Sequence, residues 1–113
     1  MPKEYTPRRF IYRGSIFSPM ASQVHASHIL VKTQDEAQNI LNDLKADKTS
    51  FAKAAESRSI CPSGRRGGDL GWFTRGKMVR EFENAAFALN KGELSGLVRT
   101  EFGWHIIKCL EMK

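Results

Sequence analysis

Two histidines and a cysteine stand among apolar residues in this 113-residue chain. His28 opens H-I-L-V-K (His28 to Lys32), Cys61 opens C-P-S-G-R-R-G-G-D-L-G, and His105 lies in F-G-W-H-I-I-K (Phe102 to Lys108). An apolar set, Leu70, Met78, Phe82 and Phe102, is interleaved with them. Polar groups at the rim of a greasy slot suit a pocket that holds an uncharged, apolar ring and acts on it without a metal or cofactor. Methionine adapts its shape to such a ring, and aromatic side chains offer flat faces.

Each residue also has a plain reading. Leu70, Met78, Phe82 and Phe102 can be core packing, since Phe82 falls on the buried face of a helical pattern. A histidine in mid-strand, as His28 is, is commonly a satisfied core residue. If His28 and His105 share a hydrogen bond, one ring must donate and the other accept, which fixes both tautomers. Such a pair is expected to act structurally and electrostatically more than by proton transfer. Cys61 can be an inert small residue, a nucleophile or a polar group facing substrate, and only the nucleophile requires an activated thiolate. Asp69, between Gly68 and Leu70, reads as a turn-stabilising side chain. The glycines from Gly64 to Gly71 are not a phosphate loop, because no G-K-[ST] follows and no helix begins there.

The length fits one domain with a modest core. No apolar run approaches the roughly 20 residues that cross a bilayer, and no apolar h-region marks a secretory signal. Residues 1–23 hold four Lys or Arg against one Glu, so they carry +3 of the +6 net charge. With Pro2, Pro7, Gly14 and Pro19 they read as a basic flexible extension or leader, with a natural start at Met20 as one possibility. Their arginine-rich, acid-poor composition is also transit-peptide-like. Nucleic-acid binding is a minor reading of such an arm. Cys61 and Cys109, one in a glycine-rich loop and one in a terminal strand, fit free thiols in a reducing compartment. Without C-x-x-C or paired histidine spacing they do not make a zinc site.

These groups must be positioned by elements the pattern also predicts. Val24 to Val31 reads as a strand. Thr33-Gln-Asp-Glu36 is a capping box opening a helix whose Ala37, Ile40, Leu41 and Leu44 share one face. Ser50 caps a second helix that packs through Phe51, Ala52, Ala54 and Ala55. A short strand is expected at Leu70 to Thr74 and a helix through Val79, Phe82, Ala86 and Leu89. Strands at Leu97 to Thr100 and Trp104 to Leu110 are joined by a tight turn. Such an order builds a small antiparallel sheet with helices against it, an α+β domain.

The pattern closely resembles the parvulin family of peptidyl-prolyl cis/trans isomerases, in particular its small stand-alone members. H-I-L-V-K, C-P-S-G-R-R-G-G-D-L-G, G-K-M-V-R-E-F-E-N-A-A-F and F-G-W-H-I-I-K follow the family's order and spacing over about residues 24–113. The resemblance implies a four-stranded antiparallel sheet surrounded by helices, in the order β-α-α-α-β-α-β-β. It implies that His28 and His105 match two histidines meeting at the back of the site. Cys61 matches the cysteine beside them, and Thr100 a hydroxyl of the same network. Leu70, Met78 and Phe82 match the pocket for the proline ring, and Phe102 lies in the turn before His105, where relatives also often carry an aromatic or a small residue. His25 and Cys109 match nothing functional.

The implied activity is rotation about X-Pro bonds in unfolded or flexible protein segments, by a monomer needing no cofactor or metal. The expected compartment is the cytoplasm, or an organellar matrix if residues 1–23 act as a targeting segment. Phospho-specific relatives carry an arginine-bearing loop after the first strand. Here the short, acidic Thr33 to Glu36 follows, so no strict phosphate requirement is expected. The rival reading is a non-catalytic proline-peptide binding module whose basic tail serves nucleic acid or membrane.

Overall fold

A computed structural model describes residues 21–113. Of the extension expected over residues 1–23, positions 1–20 lie outside the described residues. Ser22 and Gln23 are already tied to the far end of the chain, their amides donating to the Lys113 carbonyl at 2.7 and 2.9 Å.

The first strand, β1 (Gln23–Val31), is nearly buried throughout because both of its faces are covered. Val24 and Ala26 enter one core cluster with Phe73, Phe82 and Ile107, while Ile29 and Val31 enter another with Ile106. The remaining strands are β2 (Asp69–Thr74), β3 (Val98–Thr100) and β4 (Gly103–Met112), and the antiparallel sheet runs β2-β1-β4-β3. This is the expected four-stranded α+β architecture.

Helix α1 (Gln34–Lys45) begins where the capping box places it, the Thr33 hydroxyl accepting from the Glu36 amide at 3.2 Å. The Glu36 carboxylate meets Arg58 at 3.4 Å, an ion pair that links α1 to α2 (Phe51–Arg58). Ala37, Ile40, Leu41 and Leu44 are buried as the 3.6-residue period requires. In α2 Ala54 and Ala55 are buried, but Ala52 is exposed, contrary to the packing role expected of it. The third helical segment before β2 is a 3₁₀ helix, Pro62–Arg66, inside the stretch that reads as a glycine-rich loop. Proline in its first turn costs nothing, since that amide would have no helical partner. Helix α3 (Arg80–Phe87) is shorter than its apolar period suggests: Val79 is its N-cap, and Leu89 is buried beyond its end.

Two glycines let loops cross the sheet closely. Gly68 (φ +86°) accepts from the His28 amide at 2.9 Å, and a Cβ there would stand 2.3 Å from the His28 carbonyl oxygen. Gly103 (φ +139°) would place a Cβ 2.5 Å from the Val31 carbonyl oxygen. These positions demand glycine for space as well as for conformation. Among the described residues no helix is long and apolar enough to cross a membrane.

Candidate active site

Strand register creates the centre of the site. Leu30 pairs with His105 and His28 with Ile107, so the two histidines are diagonal neighbours on one face of β1 and β4. Their Nδ1 atoms stand 3.0 Å apart and their rings stack at 22° with centroids 5.2 Å apart. Phe82, from the first turn of α3, lies edge-on to both, at 5.5 Å from His28 and 5.3 Å from His105. On the other side of His105, its Nε2 and the Thr100 hydroxyl are 2.7 Å apart. The same hydroxyl accepts from the Phe102 amide at 3.1 Å.

Burial holds both imidazoles neutral near pH 7. It lowers the pKa of His28 to about 4, helped by repulsion from His105, and lowers that of His105 to about 4 as well. With one proton per ring, only two arrangements satisfy the pair. In one, His28 donates through Nδ1 and His105 donates through Nε2 to Thr100. In the other, Thr100 donates to His105 Nε2 and His105 donates to His28. Both leave His28 Nε2, buried and without a hydrogen-bond partner among the described residues, as the open end of the chain.

Leu70 and Met78 are half-buried and pack against the cluster that contains Phe82. Phe82 itself is only 3% exposed, so it forms a floor under the histidines rather than an open wall. Phe102 is 57% exposed on the β3–β4 turn, joined to the network by its backbone amide. Cys61 is half-buried at the start of the 3₁₀ helix. Among the described residues the hydrogen-bond partner of its Sγ is the Ser63 hydroxyl, donating at 3.3 Å, and not an imidazole. The structure thus joins His28, His105, Thr100, Phe82, Leu70 and Met78 in one neighbourhood, and sets Cys61 and the Phe102 ring at its margins.

Two residues outside the sequence-derived set place Cys61. The Ser59 hydroxyl accepts from the amides of Leu30 and Cys61 at 3.0 and 3.3 Å, pinning this strap to β1. Ser63 is buried and covers the thiol. The serines flanking I-C-P were the available signal. Asp69 does what its glycine neighbours suggest, accepting from the Gly71 amide at 2.8 Å, and it also meets His25 Nε2 at 2.8 Å. Cavities of about 380 and 300 Å³ lie elsewhere, around Phe51 and Lys108 beside the other core cluster. None of the eight candidate residues lines them. Their linings carry polar side chains, Ser27, Ser50, Arg66, Asp69 and Lys108 in the larger, but neither histidine nor Cys61 reaches them.

The model of the family "Rotamase: PPIC-type PPIASE domain" matches residues 16–111. Foldase protein PrsA of Geobacillus kaustophilus is 50% identical over 91 residues, which cover 79% of this chain and 32% of that protein. The solution structure of NmPin, the parvulin of Nitrosopumilus maritimus, aligns with a TM-score of 0.71 at 45% identity, covering 80% of this chain and 97% of that one. A structure titled for PEB4 and the periplasmic protein Cj1289, two SurA-like chaperones of Campylobacter jejuni, aligns with a TM-score of 0.76 at 40% identity, covering 81% of this chain and 39% of that one. The chain spans about a third of the length of the first curated relatives it matches. By motif order, sheet topology and family match together, the chain belongs to the PPIC-type peptidyl-prolyl isomerases, the parvulins.

Proposed function

We propose that this domain catalyses cis/trans rotation about X-Pro bonds in unfolded or flexible protein segments, as a folding helper or conformational regulator. The observation that carries the reading is the joint packing of Phe82 against two neutral histidines, with Leu70 and Met78 on the same cluster.

The X-Pro amide crosses a barrier of roughly 18–20 kcal/mol through a twisted state that has lost its resonance. Uncatalysed, this takes tens to hundreds of seconds. A thousandfold acceleration requires about 4 kcal/mol of preferential binding to the twisted state. The twisted amide is less dipolar than the planar one, so an apolar, largely dry setting favours it. Leu70, Met78 and Phe82 hold the pyrrolidine ring, and Phe102 closes the outer side. His28, His105 and Thr100 form a rigid, uncharged polar wall behind it. Cys61 presents a polarisable thiol at the rim; among the described residues its Sγ is bonded to the Ser63 hydroxyl and not to an imidazole, so no general base is placed to activate it as a nucleophile. No covalent intermediate is needed.

The basic segment that precedes β1 serves as an extension or leader of this domain, and the domain works as a monomer. The two free thiols support a cytoplasmic setting; fractionation of the native cell decides this against the periplasmic setting named for a structural neighbour. A protease-coupled assay on a short X-Pro peptide tests the activity. Faster isomerisation at substoichiometric protein is the expected result. Saturable peptide binding with no change in rate would instead establish the proline-peptide binding module.

A further inference from the structure

Met78 and Val79, at the end of the loop, pack against the core cluster, but the three residues before them are exposed. Between β2 and α3, Arg75, Gly76 and Lys77 are exposed, and at Gly76 (φ +91°) none of the described residues comes within 4 Å of where a Cβ would stand. Helix α3 begins without a side-chain cap, since its N-cap is Val79. One carboxylate ties the loop to the helix. Glu83 Oε1 accepts from the Gly76 amide at 2.6 Å, and Oε2 accepts from Arg75 at 3.2 Å. The Arg75 guanidinium in turn lies over the Phe87 ring at 4.4 Å. A negative charge in the first turn of α3 is favoured by the helix dipole, and a charged acceptor makes the stronger kind of amide hydrogen bond.

We propose that Glu83 is a positioning residue, a latch that fixes the Arg75–Val79 loop to α3 and so sets Met78 against Phe82 for the incoming proline ring. Glu83 and Phe82 are consecutive, so one helical turn carries both the floor of the slot and the tether of its wall. The latch also draws Arg75 onto Glu83 and Phe87, so its charge is spent within the loop–helix contact. The inference rests on the isomerase reading and adds a residue that touches no substrate.

The test compares Glu83→Ala, Glu83→Gln and Arg75→Ala in kinetics on an X-Pro peptide, with thermal unfolding and hydrogen exchange at the Gly76 amide. Glu83→Ala is expected to lower kcat/KM about tenfold, mainly through KM, and to speed Gly76 exchange. Glu83→Gln, whose amide oxygen can still accept from Gly76, is expected to restore most of the loss, and Arg75→Ala to lose less than Glu83→Ala. Wild-type kinetics in Glu83→Ala would overturn the proposal, as would a loss that tracks melting temperature equally in the Ala and Gln variants. If the wild type does not catalyse at all, the isomerase reading fails. Peptide titration on the same variants then decides the latch by itself, with unchanged affinity in Glu83→Ala counting against it.

Discussion

His28 and His105 share a 3.0 Å contact between Nδ1 atoms although 77 residues separate them in the chain. The contact exists because β1 and β4 are antiparallel neighbours whose register sets these two side chains diagonally on one face. Phe82 then seals them from the apolar side and Thr100 from the polar side. The pair thereby ties the sheet to α3, which gives it a structural duty distinct from any effect on substrate.

Replacing His105 with alanine leaves buried His28 Nδ1 without its partner and the Thr100 hydroxyl with only the Phe102 amide. We expect a loss of about 2 kcal/mol or more in urea unfolding, with turnover reduced but measurable in the folded fraction. Full stability combined with complete loss of turnover would point to proton transfer instead.

The pair also predicts an acid dependence. Each ring has its pKa lowered from 6.5 to about 4, so the unfolded chain binds protons in that window while the native one does not. Stability is therefore full above about pH 6.5 and falls as the pH drops toward 4, by at most roughly 3 kcal/mol per ring. Denaturation series at several pH values should show this slope in wild type and a shallower one in His105→Ala. A flat profile through that window would contradict the neutral pair.

Cys61→Asp should keep substantial isomerase activity, because the proposed role needs a polar rim and not a nucleophile. Kinetics on the purified variant check this. Near-complete loss in a folded Cys61→Asp protein would revive covalent chemistry.

Met78→Ala separates pocket from core better than Phe82→Ala. Phe82 is buried, and its truncation costs about 3–5 kcal/mol of stability whatever its role. Met78 is half-buried, so its truncation should cost only about 1–2 kcal/mol while lowering kcat/KM about tenfold or more. Unfolding and kinetics on one preparation supply both values.

Gly68→Ala and Gly71→Ala form a controlled contrast. Both glycines have positive φ, but a Cβ at Gly68 would meet the His28 carbonyl oxygen at 2.3 Å, whereas at Gly71 nothing lies within 4 Å. Gly71→Ala should cost about 1–2 kcal/mol, the conformational penalty alone. Gly68→Ala should cost clearly more, because the strap carrying Cys61 must shift off β1. Equal losses in calorimetry would contradict the close crossing.

Much of this was written locally in the chain. Thr33 and Ser50 are caps whose hydroxyls find the amides three residues on, and the α1 face follows from spacing alone. The positions of His28, His105, Met78 and Phe82 could be anticipated from motif order. Less legible were features that depend on which segments cross. The irregular pairing of β1 with β2 and β4 beside His25, the 3₁₀ geometry of Pro62–Arg66 and the Ser63 contact to Cys61 all depend on which segments meet. The Arg58–Glu36 ion pair is illegible for the same reason, since Arg58 reaches the carboxylate from another helix. Glu83 reads in sequence as one more surface charge on α3. Only the path of the Arg75–Val79 loop brings it to Gly76.

The most direct measurement is two-dimensional exchange NMR on a short X-Pro peptide with substoichiometric protein. Cross-peaks between the cis and trans proline resonances should appear with wild type and weaken strongly with Met78→Ala. Shifted peptide resonances with no exchange above the uncatalysed rate would show a domain that holds proline without turning it.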